Sequence, residues 1–177
     1  MPLVDTRYAK ALFDIALDEG ALDAYREELS LAANILLSDA SFEAFLHAPS
    51  VKRDKKKQVI RSAFQGNVKP YTLSFLLLLL DKDRITELPD ICREFNRYCD
   101  EAKHVLNICI ISSYPLGPGQ VRIISEKFQK RYNADSVNYE TKVDPSLLGG
   151  IKVAVGDKLY DASLKEQLSE LRSAMLA

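Results

Sequence analysis

The hydrophobic pattern of the sequence changes its period near His104, and this change restricts the possible folds more than any other feature. Before His104, apolar residues recur at spacings of three and four, as on the buried face of an α-helix. After it, β-branched residues cluster in 105–111, and apolar and polar residues alternate in 137–143, as they do in strands. We therefore predict an α+β chain of two domains, 1–104 and 105–177.

The first domain is predicted to contain six helices joined by short connections, which is typical of an α-helical bundle. Gly20 is placed to end the first helix, and Ser50 is placed to cap the fourth. Pro70 and Pro89 stand where the fifth and sixth helices begin, since proline is favoured in the first turn. The prediction is thus an N-terminal six-helix α-bundle.

The second domain is predicted to be a small α/β unit. A strand over 105–111 precedes a loop that ends at Gly119, and a helix follows the loop. Two further strands come next, the first of them half-buried by its period of two, and Gly156-Asp157 is the turn signal of a type II′ hairpin. Asp161 or Ser163 is expected to cap a final helix whose apolar side is formed by Leu164, Leu168, Leu171 and Met175.

Six consecutive apolar residues, Phe75–Leu80, circle the predicted fifth helix at about 100° per residue. Such a helix needs cover on every side. Either it is the central helix of the bundle, or one of its faces is covered by another molecule. The first helix is rich in small residues that let a further helix approach closely: Ala9, Ala11 and Ala16. A helix-in-groove site between these two helices is therefore a physically sensible binding mode.

The composition argues against a nucleic-acid binder or a membrane-spanning protein. The chain has 24 Lys and Arg against 25 Asp and Glu, a net charge of −1, and its hydrophobic content of 47% is ordinary for a globular protein. Its longest apolar run, 75–80, is far shorter than the roughly 20 residues that cross a bilayer. The N-terminal residues show no signal-peptide pattern. We predict a cytosolic protein or a mature form, with no direct membrane span.

The sequence contains no recognisable catalytic or metal-binding motif. His47 and His104 have no metal-ligand spacing, and the three cysteines are typical of small core residues. The string Gly149-Gly150-Ile151-Lys152 resembles a phosphate loop, but it precedes a strand rather than a helix. A turn that only glycine can make is the favoured interpretation. We therefore predict no catalytic residue, no metal and no cofactor.

Two features leave other functions open. One is a basic run that would suit a phosphate backbone, an acidic protein partner or a solvated helix face: Lys52, Arg53, Lys55, Lys56, Lys57 and Arg61. A nucleic-acid adaptor would bind through this run. The other is an enzyme with a novel site, which would need a pocket of convergent polar groups around Asp144, Gly149, Gly150 and Asp157.

Strings in both halves of the sequence match one known family in that family's order. The string Arg7–Phe13 is similar to its opening helix, and Phe75–Leu79 with Leu88–Ile91 to its fifth and sixth helices. The strongest likeness is C-terminal, at Val143–Val153, and continues at Gly156, Asp157, Asp161, Ser163, Leu168 and Leu171. A departure is Ala162, where the family usually has glycine. The chain resembles the delta subunit of F-type ATP synthases, also called the oligomycin-sensitivity-conferring subunit.

This resemblance implies a non-catalytic stator connector without an obligatory cofactor. The family's subunit links the alpha/beta catalytic head to the peripheral stalk, so that proton-driven rotation is coupled to ATP synthesis. Its six-helix bundle holds the N-terminal helix of an alpha subunit between its first and fifth helices, and its C-terminal domain meets the b subunits of the stalk. The resemblance further implies a peripheral protein on the cytoplasmic face of a bacterial cell membrane, with no nucleic-acid partner.

The resemblance and the helix patterns together give two sets of site residues. For the groove that binds the alpha-subunit helix we predict Tyr8, Ala11, Leu12, Ile15, Leu73, Leu76, Leu77 and Leu80. The sequence leaves open which of the leucines face the partner and which face the core. For the stalk contact or family motif we predict Asp144, Gly149, Gly150, Gly156, Asp157, Asp161, Ser163, Leu168 and Leu171. Within that set, the helix from Ser163 to Met175 is the favoured contact with the stalk.

Overall fold

The computed structural model describes residues 3–38, 40–48, 51–166 and 168. Its internal contacts divide the chain into two compact units, Met1–Cys99 and Asp100–Ala177. Each unit has its own cluster of buried apolar side chains. The division falls within a helix, shortly before the predicted boundary after residue 104, where a strand begins.

The described part of the first unit is built from α-helices. They are α1 (Leu3–Asp18), α2 (Leu22–Ser38), α3 (Ala40–His47), α4 (Arg53–Phe64), α5 (Pro70–Asp81) and α6 (Leu88–Ala102), with a 3₁₀ turn at Ile85–Glu87. Lys52 is the N-cap of α4, so the prediction that Ser50 caps this helix is wrong. Ser50 itself lies outside the described residues.

One apolar core joins the helices of the first unit. Its largest fully buried side chains are Tyr25 from α2, Phe64 from α4 and Phe95 from α6. Helix α5 adds Leu76 and Leu79, both at 0% exposure. However, Leu78 is 43% exposed, so the core leaves one side of this apolar helix uncovered.

The second unit is a mixed four-stranded sheet with a crossover helix. Its elements are β1 (Val105–Ser112), α7 (Pro118–Tyr132), β2 (Ser136–Val143), β3 (Gly150–Val155) and β4 (Lys158–Ser163). The strand order is β2-β1-β3-β4, with β1 and β2 parallel and the other pairs antiparallel. Helix α7 connects the parallel pair, because such strands cannot be joined by a tight turn. The α+β class is confirmed, although α7 begins at Pro118, inside the predicted loop.

Strand β2 is more exposed than its alternating pattern predicted. Only Val137 is half-buried, while Tyr139 is 59% and Val143 50% exposed. Two facts explain this. The strand lies at the edge of the sheet, and the core is formed by α7 side chains such as Phe128 packed against β1 and β3.

The hairpin between β3 and β4 has the predicted turn. Gly156 has a φ of +56°, whereas Asp157 has no positive φ, which is the type II′ combination. After β4, residues 164–166 are helical, and the Glu166 backbone N–H donates to Ser163 Oγ at 3.3 Å. Ser163, not Asp161, therefore caps the turn that follows. Leu171 and Met175, which the prediction placed on this helix, lie outside the described residues.

Candidate functional site

Helix α1 presents a narrow apolar face toward solvent. Tyr8 and Ile15 are half-buried at the margin of the core, and Ala11 between them is exposed. Their spacings of three and four place all three on one side of the helix. This face therefore combines a small residue with two larger apolar neighbours.

Helix α5 supplies a second apolar face. Leu73 and Leu77 are half-buried, and they lie one turn apart. The rings of Tyr8 on α1 and Phe75 on α5 meet edge to face, with centroids 6.3 Å apart. This contact makes the two helices neighbours.

The eight predicted groove residues divide into two groups by exposure. Leu12, Leu76 and Leu80 are 1%, 0% and 3% exposed and belong to the core. The other members reach the surface: Tyr8, Ala11, Ile15, Leu73 and Leu77. We call these five residues the α1/α5 surface. An apolar helix that lay on it would contact these side chains without unpacking the core.

A polar cluster that the sequence did not reveal holds the start of α5. Glu28 Oε2 on α2 accepts the Lys69 backbone N–H at 3.0 Å and also the hydroxyl of Thr72, which is 0% exposed. Glu19, just after α1, accepts from Tyr25 Oη at 2.9 Å and Lys69 Nζ at 3.2 Å. We call these five residues the α5 clamp. Burial, followed by the hydrogen bond to Glu19, raises the pKa of Tyr25 above its ordinary range, so its phenol remains the donor.

The basic run is partly used within the protein. Lys57 Nζ lies 2.6 Å from Asp81 Oδ1, Lys56 Nζ donates to the Leu46 carbonyl at 2.6 Å, and Arg53 pairs with Asp83. Half of the six cations thus attach α4 to neighbouring segments. This leaves fewer charges for a phosphate backbone than the sequence suggested.

The first part of the C-terminal motif forms turns. Asp144 Oδ1 accepts the Ser146 backbone N–H at 2.9 Å. Hydrogen bonding from the Ser146 side chain, followed by this backbone hydrogen bond, lowers the pKa of Asp144. Gly149 O accepts the Leu164 N–H at 3.1 Å, and Gly150 has a φ of +82°. The prediction of a glycine-only turn before the strand is confirmed at Gly150.

The second part of the motif is an ion pair across β3 and β4. Lys152 Nζ lies 2.8 Å from Asp161 Oδ2, and Asp161 Oδ1 accepts the Ser163 N–H at 2.9 Å. These two contacts, the first above all, lower the pKa of Asp161 to about 2. The same pair raises the pKa of Lys152. The motif therefore stabilises the hairpin and its exit.

In the alternative enzyme site, Asp157 lies apart from the two glycines. Gly149 and Gly150 lie at the start of β3, and Asp157 follows its other end. Six residues of strand span roughly 20 Å, so Asp157 cannot share a pocket with the two glycines. The arrangement does not support a catalytic site there.

A cavity of about 560 Å³ lies elsewhere in this unit, between α7 and the β3–β4 hairpin. Its lining is chiefly apolar and includes Ile124, Phe128 and Val153, with Lys127 and Arg131 from α7. The Arg131 guanidinium lies 4.4 Å from the centroid of the Tyr160 ring.

Within the described residues, no three His, Cys, Asp or Glu side chains are grouped closely enough to hold a metal ion. No helix in these ranges has both the length and the apolar character needed to cross a bilayer.

Comparison with known proteins gives one consistent result. Residues 4–175 match the family model described as ATP synthase delta (OSCP) subunit. The chain is 37% identical to the ATP synthase subunit delta of Acetivibrio thermocellus over 176 residues, which cover 99% of both chains. It is 40% identical to that of Ruminiclostridium cellulolyticum over 171 residues, or 97% of both chains.

A solved structure shares the fold of the whole chain. It is a chain of the Toxoplasma gondii mitochondrial ATP synthase hexamer, which matches with a TM-score of 0.73 over 100% of this protein and 99% of that chain, at 22% identity. Sequence and fold thus agree over the full length, and the chain belongs to the ATP synthase delta (OSCP) subunit family.

Proposed function

We propose that the protein is a non-catalytic stator connector of an F-type ATP synthase. It links the alpha/beta catalytic head to the b subunits of the peripheral stalk, so that rotation driven by protons is coupled to ATP synthesis. In this role α1–α6 form the family's six-helix bundle and bind the head, while the second unit binds the stalk. The protein would act at the cytoplasmic face of a bacterial membrane. Membership of the delta family supports the proposal.

For the head contact we propose that the N-terminal helix of an alpha subunit lies on the α1/α5 surface. The observation that carries this is the incomplete burial of α5: Leu73 and Leu77 are only half-buried beside a complete core, and Leu78 is 43% exposed. An amphipathic helix with apolar residues at i, i+3, i+4 and i+7 would cover these side chains. Apolar packing of this kind suits a stator, because it slows dissociation.

The test is calorimetric titration of the full-length protein with a peptide of the alpha-subunit N-terminus. We expect binding by the wild type and a loss of at least about tenfold in affinity for Leu77→Asp, since a charge would be desolvated under the peptide. Leu31→Asp is the matched control, because Leu31 is 48% exposed but lies on α2. The control should keep wild-type affinity.

Two results would contradict this assignment. One is a folded wild type that does not bind the peptide. The other is equal weakening by Leu77→Asp and Leu31→Asp, which would mean that the peptide responds to charge anywhere on the unit rather than to the α1/α5 surface.

For the stalk contact we propose the helical turn that follows β4. Leu164 and Leu168 are 48% and 58% exposed, and their spacing of four places them on one side of a helix. Leu164→Asp with Leu168→Asp should reduce the affinity for a b-subunit fragment by at least about tenfold. Leu148→Asp is the control, because Leu148 is 75% exposed and lies in the loop before β3. Unchanged binding by the double variant would mean that the stalk contact lies in another part of the second unit.

A further inference from the structure

We propose that Glu28 is a positioning residue for the α1/α5 surface. Its carboxylate holds the first turn of α5 in the conformation that accepts a partner helix. Glu28 belongs to α2 and contributes nothing to the surface itself, so its effect on binding would be indirect. The inference rests on the proposed function, since that function defines the ligand.

The geometry at the start of α5 requires an acceptor from elsewhere. Lys69 is the N-cap residue, and its own side chain makes no capping hydrogen bond. Glu28 Oε2 takes over this role from α2, because it accepts both the Lys69 backbone N–H at 3.0 Å and the Thr72 hydroxyl. A carboxylate at a helix N-terminus is also favoured by the helix dipole.

The clamp lies directly beside the α1/α5 surface. Leu73 follows Thr72, and its N–H donates to the Lys69 carbonyl at 3.1 Å, the first hydrogen bond of α5. Lys69 Nζ meets Glu19, which follows α1. The clamp therefore connects the ends of both helices to α2, and it sets the position of Leu73 relative to α1.

Apolar burial does not hold this turn by itself. Pro70 is exposed and Tyr71 is 53% exposed, whereas the next two turns contribute Leu76 and Leu79, both at 0%. Loss of Glu28 should therefore open the first turn and leave the rest of α5 in place. A surface that is competent for only a tenth of the time binds about tenfold more weakly.

The experiment compares four full-length proteins: wild type, Glu28→Ala, Glu28→Gln and Glu27→Ala. The last is the matched control, because Glu27 is the exposed neighbour on α2. Two quantities are measured for each: affinity for the alpha-subunit peptide by calorimetry, and amide hydrogen exchange resolved by residue. Comparing exchange at Leu73 with exchange at Leu79 separates local opening from a global loss of stability.

We expect Glu28→Ala to bind about tenfold more weakly and to exchange faster at Leu73 but not at Leu79. Glu28→Gln should restore binding to within about threefold, because its amide oxygen still accepts both hydrogen bonds. Glu27→Ala should behave as the wild type.

Three outcomes would overturn the proposal. If Glu28→Ala binds as well as Glu27→Ala while the wild type binds, Glu28 does not position the surface, although the proposed function stands. If exchange in Glu28→Ala rises equally at Leu73 and Leu79, Glu28 stabilises the whole unit. Rescue by Glu28→Gln would then reflect restored stability and not the position of the first turn of α5. If the folded wild type does not bind the peptide, the proposed function fails and the role of Glu28 in it fails as well.

Discussion

At the scale of single residues, Gly150 is the glycine of this chain least able to accept a side chain. Its φ is +82°, and a Cβ there would lie 2.4 Å from the Ala162 carbonyl oxygen on the paired strand. Both the backbone conformation and the close approach of β4 exclude an L-residue. The carbonyl is backbone, so it cannot move aside as a flexible side chain would.

We expect Gly150→Ala to lower the free energy of unfolding of the second unit by about 2–4 kcal/mol. The measurement is urea denaturation followed by near-UV and far-UV circular dichroism. Gly119→Ala is the matched control, since a Cβ there meets nothing within 4 Å and Gly119 lies in α7. That change should stabilise the unit by about 0.5 kcal/mol. Equal effects of the two substitutions would contradict the steric argument.

The ion pair between Asp161 and Lys152 should make the stability of the β3–β4 hairpin sensitive to acid. Its pKa in the folded protein is about 2, below the ordinary value of 3.8, mainly because of Lys152. A depressed pKa gives stability that is present above the unfolded value and is lost as the pH falls. Between about pH 4 and pH 2, the unfolding free energy of the wild type should therefore fall more steeply than that of Asp161→Asn.

Urea midpoints measured at intervals from pH 5 to pH 2 test this prediction. Lys152→Met should flatten most of the profile, since it removes the main partner of Asp161 and leaves only the hydrogen bonding from Ser163. Lys158→Met, an exposed lysine of the same hairpin, should keep the wild-type slope. Parallel profiles for all four proteins would show that the ion pair does not contribute.

At the scale of elements, α5 shows how far sequence patterns reach. Six consecutive apolar residues, Phe75–Leu80, indicated that this helix needs cover on more sides than a surface helix. They could not indicate which side the core would leave open, because that depends on where α1, α2 and α4 pack. The structure buries Leu76 and Leu80 and leaves Leu77 and Leu78 accessible.

Helix α4 shows that the sequence pattern is equally limited in predicting which charged residues are paired. The sequence displays six cations as one run at α4 and its N-cap. However, Lys57 pairs with Asp81 at the end of α5, and Arg53 pairs with Asp83 just after it, both more than twenty residues away. Spacing along one helix predicts contacts within that helix and not with a distant one. The run therefore appeared more available for a ligand than it is.

These contacts predict different effects for two neighbouring lysines of α4. Lys57→Glu should lower the unfolding free energy by about 1 kcal/mol, since it replaces a partly exposed ion pair with Asp81 by a repulsion. Lys55→Glu should change it by less than about 0.5 kcal/mol, because Lys55 is exposed and has no ion-pair partner among the described residues. Urea denaturation of both variants is the measurement. A larger effect at Lys55 would contradict the assignment of contacts.

At the scale of the whole molecule, the proposal gives one chain two separate binding tasks. The α1/α5 surface belongs to the first unit, and Leu164 with Leu168 belongs to the second. A stator connector must hold both partners at once. Because the two proposed surfaces belong to different units, either attachment should be removable without loss of the other.

We expect Leu77→Asp to lose the alpha-subunit peptide and retain the b-subunit fragment, and the Leu164→Asp, Leu168→Asp double variant to do the reverse. Each substitution places a charge on only one proposed surface, so the ratio of the two affinities should change by about a hundredfold between the variants. Paired calorimetric titrations provide the check. Simultaneous loss of both partners in either variant would indicate unfolding or a shared site.

The sequence by itself determined the order of helices and strands, the α+β class and the turns at Gly150 and Gly156. These features depend on local spacing and on backbone angles that few residues adopt, and both can be recognised within a short window. It also carried the family likeness, because the C-terminal string is specific over many consecutive positions.

Only the tertiary structure decided which apolar residues remain accessible and which charges are paired. Glu28 illustrates the reason: it meets Lys69 across a separation of 41 residues, and no local pattern marks such a contact. The exposed side of α5 and the exposed edge strand β2 likewise depend on which neighbours pack against them. Accessibility is a property of the folded arrangement, and the sequence pattern of one element does not contain it.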